Sequence, residues 1–96
     1  MKGVNVAVVS GNVDSVRFST TKTRGDEVCT FLLCIEKNKE SVTWARVNVY
    51  GGNVLSCRKF LKRGSPVVIE AELMNRLCQK TNDKVVELRC NDIKFI

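Results

Sequence analysis

The sequence contains no histidine, and only one tryptophan, one tyrosine and one proline occur in its 96 residues. Without histidine the commonest general base is missing, and a cysteine nucleophile would have no imidazole partner. No Cys-x-x-Cys pair occurs among the five cysteines, Cys29, Cys34, Cys57, Cys78 and Cys90, so a zinc site would need scattered thiolates alone. We therefore expect no metal, no cofactor and no catalytic residue, and we interpret the cysteines as small buried residues in a reducing compartment.

Long apolar segments are also missing. The longest, Val28 to Ile35, already contains one threonine and is far short of the ~20 residues that a membrane span needs. The N-terminus lacks a charged and then apolar leader with a small-residue cleavage site, so we expect a cytoplasmic protein without membrane association. A chain of this length forms one hydrophobic core, which predicts a single domain over residues 1–96.

Positive charge is in excess. Sixteen lysines and arginines against ten acidic residues give a net charge of +6. Such a surplus on a small protein favours polyanionic partners, either nucleic acid or an anionic membrane surface. Charge alone does not separate these partners from a basic surface that only keeps the protein soluble.

Side-chain alternation and turn residues predict five strands and one helix. A first strand from Val4 to Val9 is interrupted at Gly11, where a bulge or sharp bend is expected, and resumes as far as Phe18. A helix of about ten residues begins at an Asn53 cap and ends before Gly64. The other strands are predicted at 28–37, 42–50, from 66 onward and at 84–96. This order is typical of an OB-fold, an all-β, five-stranded Greek-key barrel with one helix between strands 3 and 4, which commonly binds oligonucleotides.

The third predicted strand has different chemistry on its two sides. Because successive side chains alternate, the barrel side receives Thr43, Ala45, Val47 and Val49, and the outer side receives Trp44, Arg46, Asn48 and Tyr50. Single-strand binding proteins stack unpaired bases on aromatic rings and hold phosphates with basic groups. The pattern therefore predicts base stacking on Trp44 and Tyr50, with Arg46 between them. The alternative is a Trp44 that packs under a loop or in an oligomer interface.

Three ordered segments of the chain resemble the bacterial-type single-stranded-DNA-binding protein family. They are VVSGNVDSVRF in the first strand, TWARVNVYG in the third, and FLKRGSPVVIEAEL from the helix end into the fourth. The resemblance implies non-catalytic, largely sequence-independent binding of single-stranded DNA in replication, recombination or repair. It implies stacking by Trp44 and Tyr50, and phosphate contacts by Arg17, Arg46, Lys62 and Arg76. RNA remains open as a ligand, because stacking tolerates either nucleic acid.

The resemblance also bears on partners. It implies that the strand over residues 4–9 pairs with its copy in a homodimer, with a homotetramer as the larger alternative, and it allows replication or recombination proteins as partners. For Arg17 and Arg76 the competing interpretation is a solvated surface. For Lys62 it is the helix C-terminus, where a lysine is favourable without any ligand.

Some family features are missing from this sequence. Cys78 stands where the family commonly has an aromatic residue, and the turn at Asn38 to Ser41 replaces a longer loop that often carries another. We expect weaker binding or a shorter footprint. The sequence ends at Ile96, so we expect none of the partner recruitment that the family achieves through an acidic tail. The chain also resembles the tail-less primosomal replication-restart proteins. A protein-docking OB module with secondary nucleic-acid binding is therefore the alternative function. Phage, plasmid and organellar variants of the family are equally allowed.

An enzyme is the third interpretation. Glu70 and Glu72 fall on one side of the fourth predicted strand and could share a metal cation, as in a small nuclease. A solvated strand face that offsets nearby lysines and arginines explains the same pair more simply.

Overall fold

The computed structural model describes residues 1–21, 23–77, 80–81 and 84–96. The elements are β1 (Ala7–Thr20), β2 (Glu27–Asn38), β3 (Ser41–Tyr50), α1 (Asn53–Phe60), β4 (Pro66–Leu77) and β5 (Lys84–Phe95). This order confirms the prediction of five strands with a helix between the third and fourth. Cys78, the position where the family commonly has an aromatic residue, lies outside the described residues. Within the described ranges no helix is long and apolar enough to cross a membrane.

The strands close into a barrel in the order β1-β2-β3-β5-β4, and β4 returns to β1. Neighbouring strands are antiparallel except β3 and β5, which pair in parallel. Each strand therefore pairs with two neighbours, as in a closed barrel. Because β5 lies beside β3, side chains of residues 87 and 89 join the outer face of the third strand. The predicted OB-fold is confirmed.

The core lies inside the barrel, where alternate residues of every strand meet. The largest completely buried side chains are those of Phe31, Leu33, Val13, Val47, Val49, Val67 and Ile69. On β3, the inward orientation predicted for Val47 and Val49 is confirmed, whereas Thr43 is exposed near the start of the strand. Val54 and Cys57 of α1 pack on the same core, so the helix covers one end of the barrel.

The first strand begins later than predicted. Strand β1 starts at Ala7, so the prediction of a strand from Val4 is wrong for residues 4–6. There, the side chain of Asn5 takes the place of a backbone pairing: its amide donates to the carbonyl of Leu73 at 2.9 Å and accepts from the Leu73 N–H at 2.8 Å. A side-chain amide carries the same donor and acceptor as a peptide group, so it can occupy a β4 position that the ladder would otherwise fill.

The irregularity in β1 lies at Ser15 and not at Gly11. The pairing of β1 with β2 shifts between Asp14 and Arg17, and Ser15 has a φ of 52°, in the left-handed region that L-residues rarely adopt. Gly11 lies in regular strand, where a Cβ would collide with the carbonyl oxygen of Cys34. Glycine is therefore required there for close approach of two strands and not for a bend.

The helix is also shorter than predicted and begins differently. Gly52 is the N-cap, with no side-chain capping bond, and Asn53 is the first helical residue. Its amide instead donates to the backbone carbonyl of Asn91 at 3.2 Å, so the side chain is used to attach α1 to β5. Gly64 has the predicted left-handed backbone, with a φ of 92°, but it lies in the turn that follows and does not end the helix, because the C-cap is the extended Leu61.

Candidate nucleic-acid interface

The outer face of β3 carries the two residues that the sequence predicts to stack bases. Trp44 is 55% exposed, and Tyr50 is partly exposed at the end of the strand. Six residues at ~3.3 Å each place them ~20 Å apart along one line. Arg46 lies between them, opposite Leu32 of β2, and Trp44 lies opposite Cys34. The predicted outward orientation of Trp44 is confirmed.

Tyr50 has a cationic neighbour that the sequence analysis missed. The guanidinium carbon of Arg89 lies 5.2 Å from the centre of the Tyr50 ring, a cation–π arrangement. Parallel pairing brings Arg89 beside Asn48 on β3. The signal that could have found Arg89 is the β3–β5 adjacency of an OB-fold, since no local pattern links residues 50 and 89.

A buried carboxylate lies beneath this face. Glu87 is only 5% exposed, and it accepts a hydrogen bond from the side-chain amide of Asn48 at 2.7 Å. Asn48 in turn accepts from the hydroxyl of Thr30 at 2.9 Å. These hydrogen bonds link β2, β3 and β5, and Asn48, in the middle of them, is only 8% exposed. Asn48 therefore lies on the outer side between the buried Val47 and Val49, as predicted, but it is not exposed, because it links neighbouring strands.

Two of the predicted phosphate-binding residues share this carboxylate. The Nε of Arg76 donates to Oε1 of Glu87. The Nε of Arg46 lies 3.2 Å from the same oxygen, but its buried N–H is not aligned for a hydrogen bond. The arginine side chains are 36% and 46% exposed, so both remain accessible from solvent. The group of Arg46, Arg76 and Glu87 carries a net charge of +1, and Glu87 limits where each guanidinium can lie.

Arg17 is brought to the same side of the barrel. It lies opposite Thr30 where the β1–β2 pairing resumes after Ser15. Arg17 and Arg46 both line a cavity of about 400 Å³ over β2. The fold therefore brings together arginines from β1 and β3 that are separated by 29 positions in the chain, 46 minus 17.

Lys62 is not joined to this group by any contact among the described residues. It is exposed in the turn after α1, where its N–H donates to the hydroxyl of Ser65 at 3.0 Å. The turn is fixed to β1, because the Gly64 N–H donates to the Val13 carbonyl at 2.6 Å. The competing interpretation of Lys62, a helix C-terminus that favours a cation, needs no ligand.

Three of the cysteines lie in the core and not in the interface. Cys29, Cys57 and Cys90 are buried between the barrel and α1, and all four described cysteines are free. Burial raises the pKa of the Cys90 thiol to about 12, and a hydrogen bond with Cys57, together with burial, raises the pKa of Cys29. Among the described residues no group of three cysteines or carboxylates could hold a metal ion.

The chain matches a known protein family. The model of the single-strand binding protein family matches residues 4–96. The chain belongs to this family. A sequence search of curated proteins finds no match.

Solved structures of single-strand binding proteins share the fold of this family member. The protein from Plasmodium falciparum, solved as a complex with single-stranded DNA, has a TM-score of 0.77 at 22% identity, over 100% of this chain and 97% of that one. A crystal form of the mitochondrial single-stranded DNA binding protein Rim1 from S. cerevisiae has a TM-score of 0.81 at 12% identity, over 99% and 96%. A second form of Rim1 gives 0.77 at 13%, over 95% and 94%.

In this member of the single-strand binding protein family, the face around Trp44 includes residues that the sequence predicted and residues that it did not. Trp44, Tyr50, Arg46, Arg76 and Arg17 were predicted from the sequence, and their roles stay predictions. Glu87 and Arg89 were not predicted. Both lie on β5, whose contribution to this face depends on how the barrel closes.

Proposed function

We propose that this protein is a non-catalytic, largely sequence-independent binder of single-stranded DNA. The observation that carries the proposal is that Trp44 is 55% exposed on the outer face of β3, in line with Arg46 and Tyr50. Membership of the single-strand binding protein family supports it. So does the shared fold of the Plasmodium falciparum protein, which was solved with single-stranded DNA.

The proposed mechanism combines stacking with charge. Bases of an unpaired strand lie on the rings of Trp44 and Tyr50, each stack contributing about 1–3 kcal/mol by alanine substitution. Arg46, Arg76 and Arg17 attract the phosphates, and Lys62 adds charge outside the central face. Since a duplex keeps its base faces covered, the same surface favours single strands. The protein would thereby cover exposed strands during replication, recombination or repair.

Self-association is the second part of the proposal. Val4, Val6 and Val8 are 91%, 64% and 68% exposed, and an exposed apolar row of this kind marks an interaction surface. We place a homodimer contact along residues 4–9, with the homotetramer as the larger assembly of the same chains. Replication or recombination proteins are the other partners that the proposal allows. Four free described cysteines favour a reducing compartment, and we place the protein in the cytoplasm.

Fluorescence titration with oligo(dT) tests the central claim. Because Trp44 is the only tryptophan, stacking should quench the intrinsic emission, and Trp44→Ala should lower the affinity for a labelled oligonucleotide by roughly 5- to 150-fold. Leu55→Ala, a change of an exposed residue on α1, should leave the affinity unchanged. Absence of both quenching and a mobility shift at low salt would refute the proposal.

A further inference from the structure

A cavity lies over the irregular part of β1, beside the proposed stacking residues. Its volume is about 400 Å³, within the ~300–1,000 Å³ range of small-molecule sites. Asp14 faces Leu32 and Arg17 faces Thr30, so three steps along β1 oppose two along β2. The one extra residue is a β-bulge, a device that re-aims side chains next to functional sites. The lining residues are Ser15, Val16, Arg17, Thr30, Phe31, Leu32 and Arg46.

The walls of this bulge cavity combine an apolar floor with a cationic rim. Leu32 and Val16 supply apolar surface, and Arg17 and Arg46 approach from the strands on either side of β2. Such a site favours a flat, apolar-faced ring that is linked to an anion. A nucleobase with its adjoining phosphate has this chemistry, whereas a purely aliphatic ligand would leave the Arg17 guanidinium without an anionic partner.

One wall of the cavity is held in place by the network beneath the β3 face. Arg46 lies 3.2 Å from the buried carboxylate of Glu87, which restricts where its guanidinium can lie. Arg17 is exposed and lies opposite Thr30 on the rim. A fixed cation on one side and an accessible one on the other would orient a nucleotide, with its base inward and its phosphate toward β1.

The cavity floor on β2 lies next to the strand that carries Trp44 and Tyr50. Leu32 lies directly opposite Arg46, and Cys34, two residues further along β2, lies opposite Trp44. Neighbouring strands are ~4.8 Å apart, so the cavity floor is one strand away from the stacking line. A DNA strand on Trp44 could place a neighbouring base in the cavity without crossing a gap.

We propose that the bulge cavity is a nucleobase subsite for single-stranded DNA. One unstacked base packs on Leu32 and Val16, and the adjoining phosphate pairs with Arg17. This inference rests on the proposed function, since it names a further position on the same DNA path. The subsite would add one base contact to a face that has only two exposed aromatic residues along β3, Trp44 and Tyr50.

The test compares Leu32→Ala with Arg17→Ala on two DNAs of equal length, oligo(dT) and an abasic oligonucleotide, by fluorescence anisotropy. Leu32→Ala should weaken oligo(dT) binding about fivefold, the factor for roughly 40 Å² of lost apolar contact at ~25 cal/mol per Å². It should leave abasic DNA binding unchanged, because no base is present. Arg17→Ala should weaken both DNAs by similar factors, because the phosphates remain.

Two variants keep the result interpretable. Leu32→Met preserves side-chain volume and apolarity and should retain most of the oligo(dT) affinity even if Leu32→Ala perturbs the barrel. Leu55→Ala on α1 should change neither affinity, and thermal melts establish that each variant is folded.

The outcomes separate this inference from the proposed function. If Trp44→Ala weakens oligo(dT) binding and Leu32→Ala does not, the subsite is wrong and the proposed function stands. Equal losses on both DNAs for Leu32→Ala would also overturn the subsite, since the effect would not pass through a base. If the unmodified protein fails to bind oligo(dT) at low salt, the proposed function itself is wrong.

Discussion

Replacing Glu87 with glutamine should change how DNA binding depends on salt. The substitution keeps the side-chain shape and removes the negative charge between Arg46 and Arg76. The net charge of this group rises from +1 to +2, so one more phosphate can be neutralised. Each phosphate neutralised on a single strand contributes about −0.7 to the slope of log K against log salt. We expect the slope for Glu87→Gln to be steeper by ~0.7.

The same variant should bind more weakly once the ionic contribution is removed. A glutamine amide binds the two guanidiniums more weakly than the carboxylate does, so Arg46 and Arg76 are less ordered before DNA binds. Ordering a long side chain costs about 0.5–1.5 kcal/mol, so affinity extrapolated to high salt should fall by at least ~1 kcal/mol, roughly fivefold. The slope therefore reports the charge, and the extrapolated affinity reports the positioning of the arginines.

Anisotropy titrations of labelled oligo(dT) from about 50 to 200 mM NaCl measure both quantities. The matched control is Glu27→Gln, which removes one negative charge from the exposed pair with Arg58, 2.7 Å apart, next to α1. It should leave the slope nearly unchanged. If Glu87→Gln and the unmodified protein give the same slope, Glu87 does not offset the arginines during DNA binding. An unchanged high-salt affinity would refute the positioning role.

Further predictions concern stability, thiols and assembly. Gly11→Ala should lower the free energy of unfolding by about 1–3 kcal/mol, measured by denaturant titration, because the new Cβ meets the Cys34 carbonyl; an unchanged midpoint would contradict the close approach. Iodoacetamide followed by peptide mapping should label the partly exposed Cys34 in the native protein and leave Cys90 unlabelled; rapid labelling of Cys90 would show that it is not buried. The pKa of Cys90 is raised from 9.0 to about 12, so above pH 9 the thiol loses its proton first in the unfolded protein. The free energy of unfolding should therefore fall from pH 9 toward pH 12, and it should fall less steeply for Cys90→Ala. Val8→Lys should reduce the mass measured by light scattering if residues 4–9 form the dimer contact, and an unchanged mass would place the contact elsewhere.

The outer face of β3 could be read from the sequence because strand alternation is a local rule. Trp44, Val47 and Asn48 all follow it, but the burial of Asn48 has a cause that the rule does not contain. Its partner Glu87 lies 39 positions away in the chain. In sequence, an acidic residue between two apolar ones predicts a solvent-exposed strand position. Only the closed barrel shows that two arginines and an amide cover Glu87.

Errors at the start of β1 and of α1 have a common cause. In both places an asparagine side chain bonds to a distant backbone group, Asn5 to Leu73 and Asn53 to Asn91. Propensity treats asparagine as a local turn or cap residue, and long-range backbone contacts of its amide leave no periodic signal. Gly11 was misread similarly, since a glycine needed for close approach looks the same in sequence as one needed for a bend.

The parallel contact of β5 with β3 has a consequence for biosynthesis. Thr30, Asn48 and Glu87 are joined in one chain of hydrogen bonds, and the last of them is translated well after the strand that carries Trp44. A nascent polypeptide that ends before β5 has Arg46 without its carboxylate and Tyr50 without Arg89. The ordered surface is thus complete only after the final strand has docked.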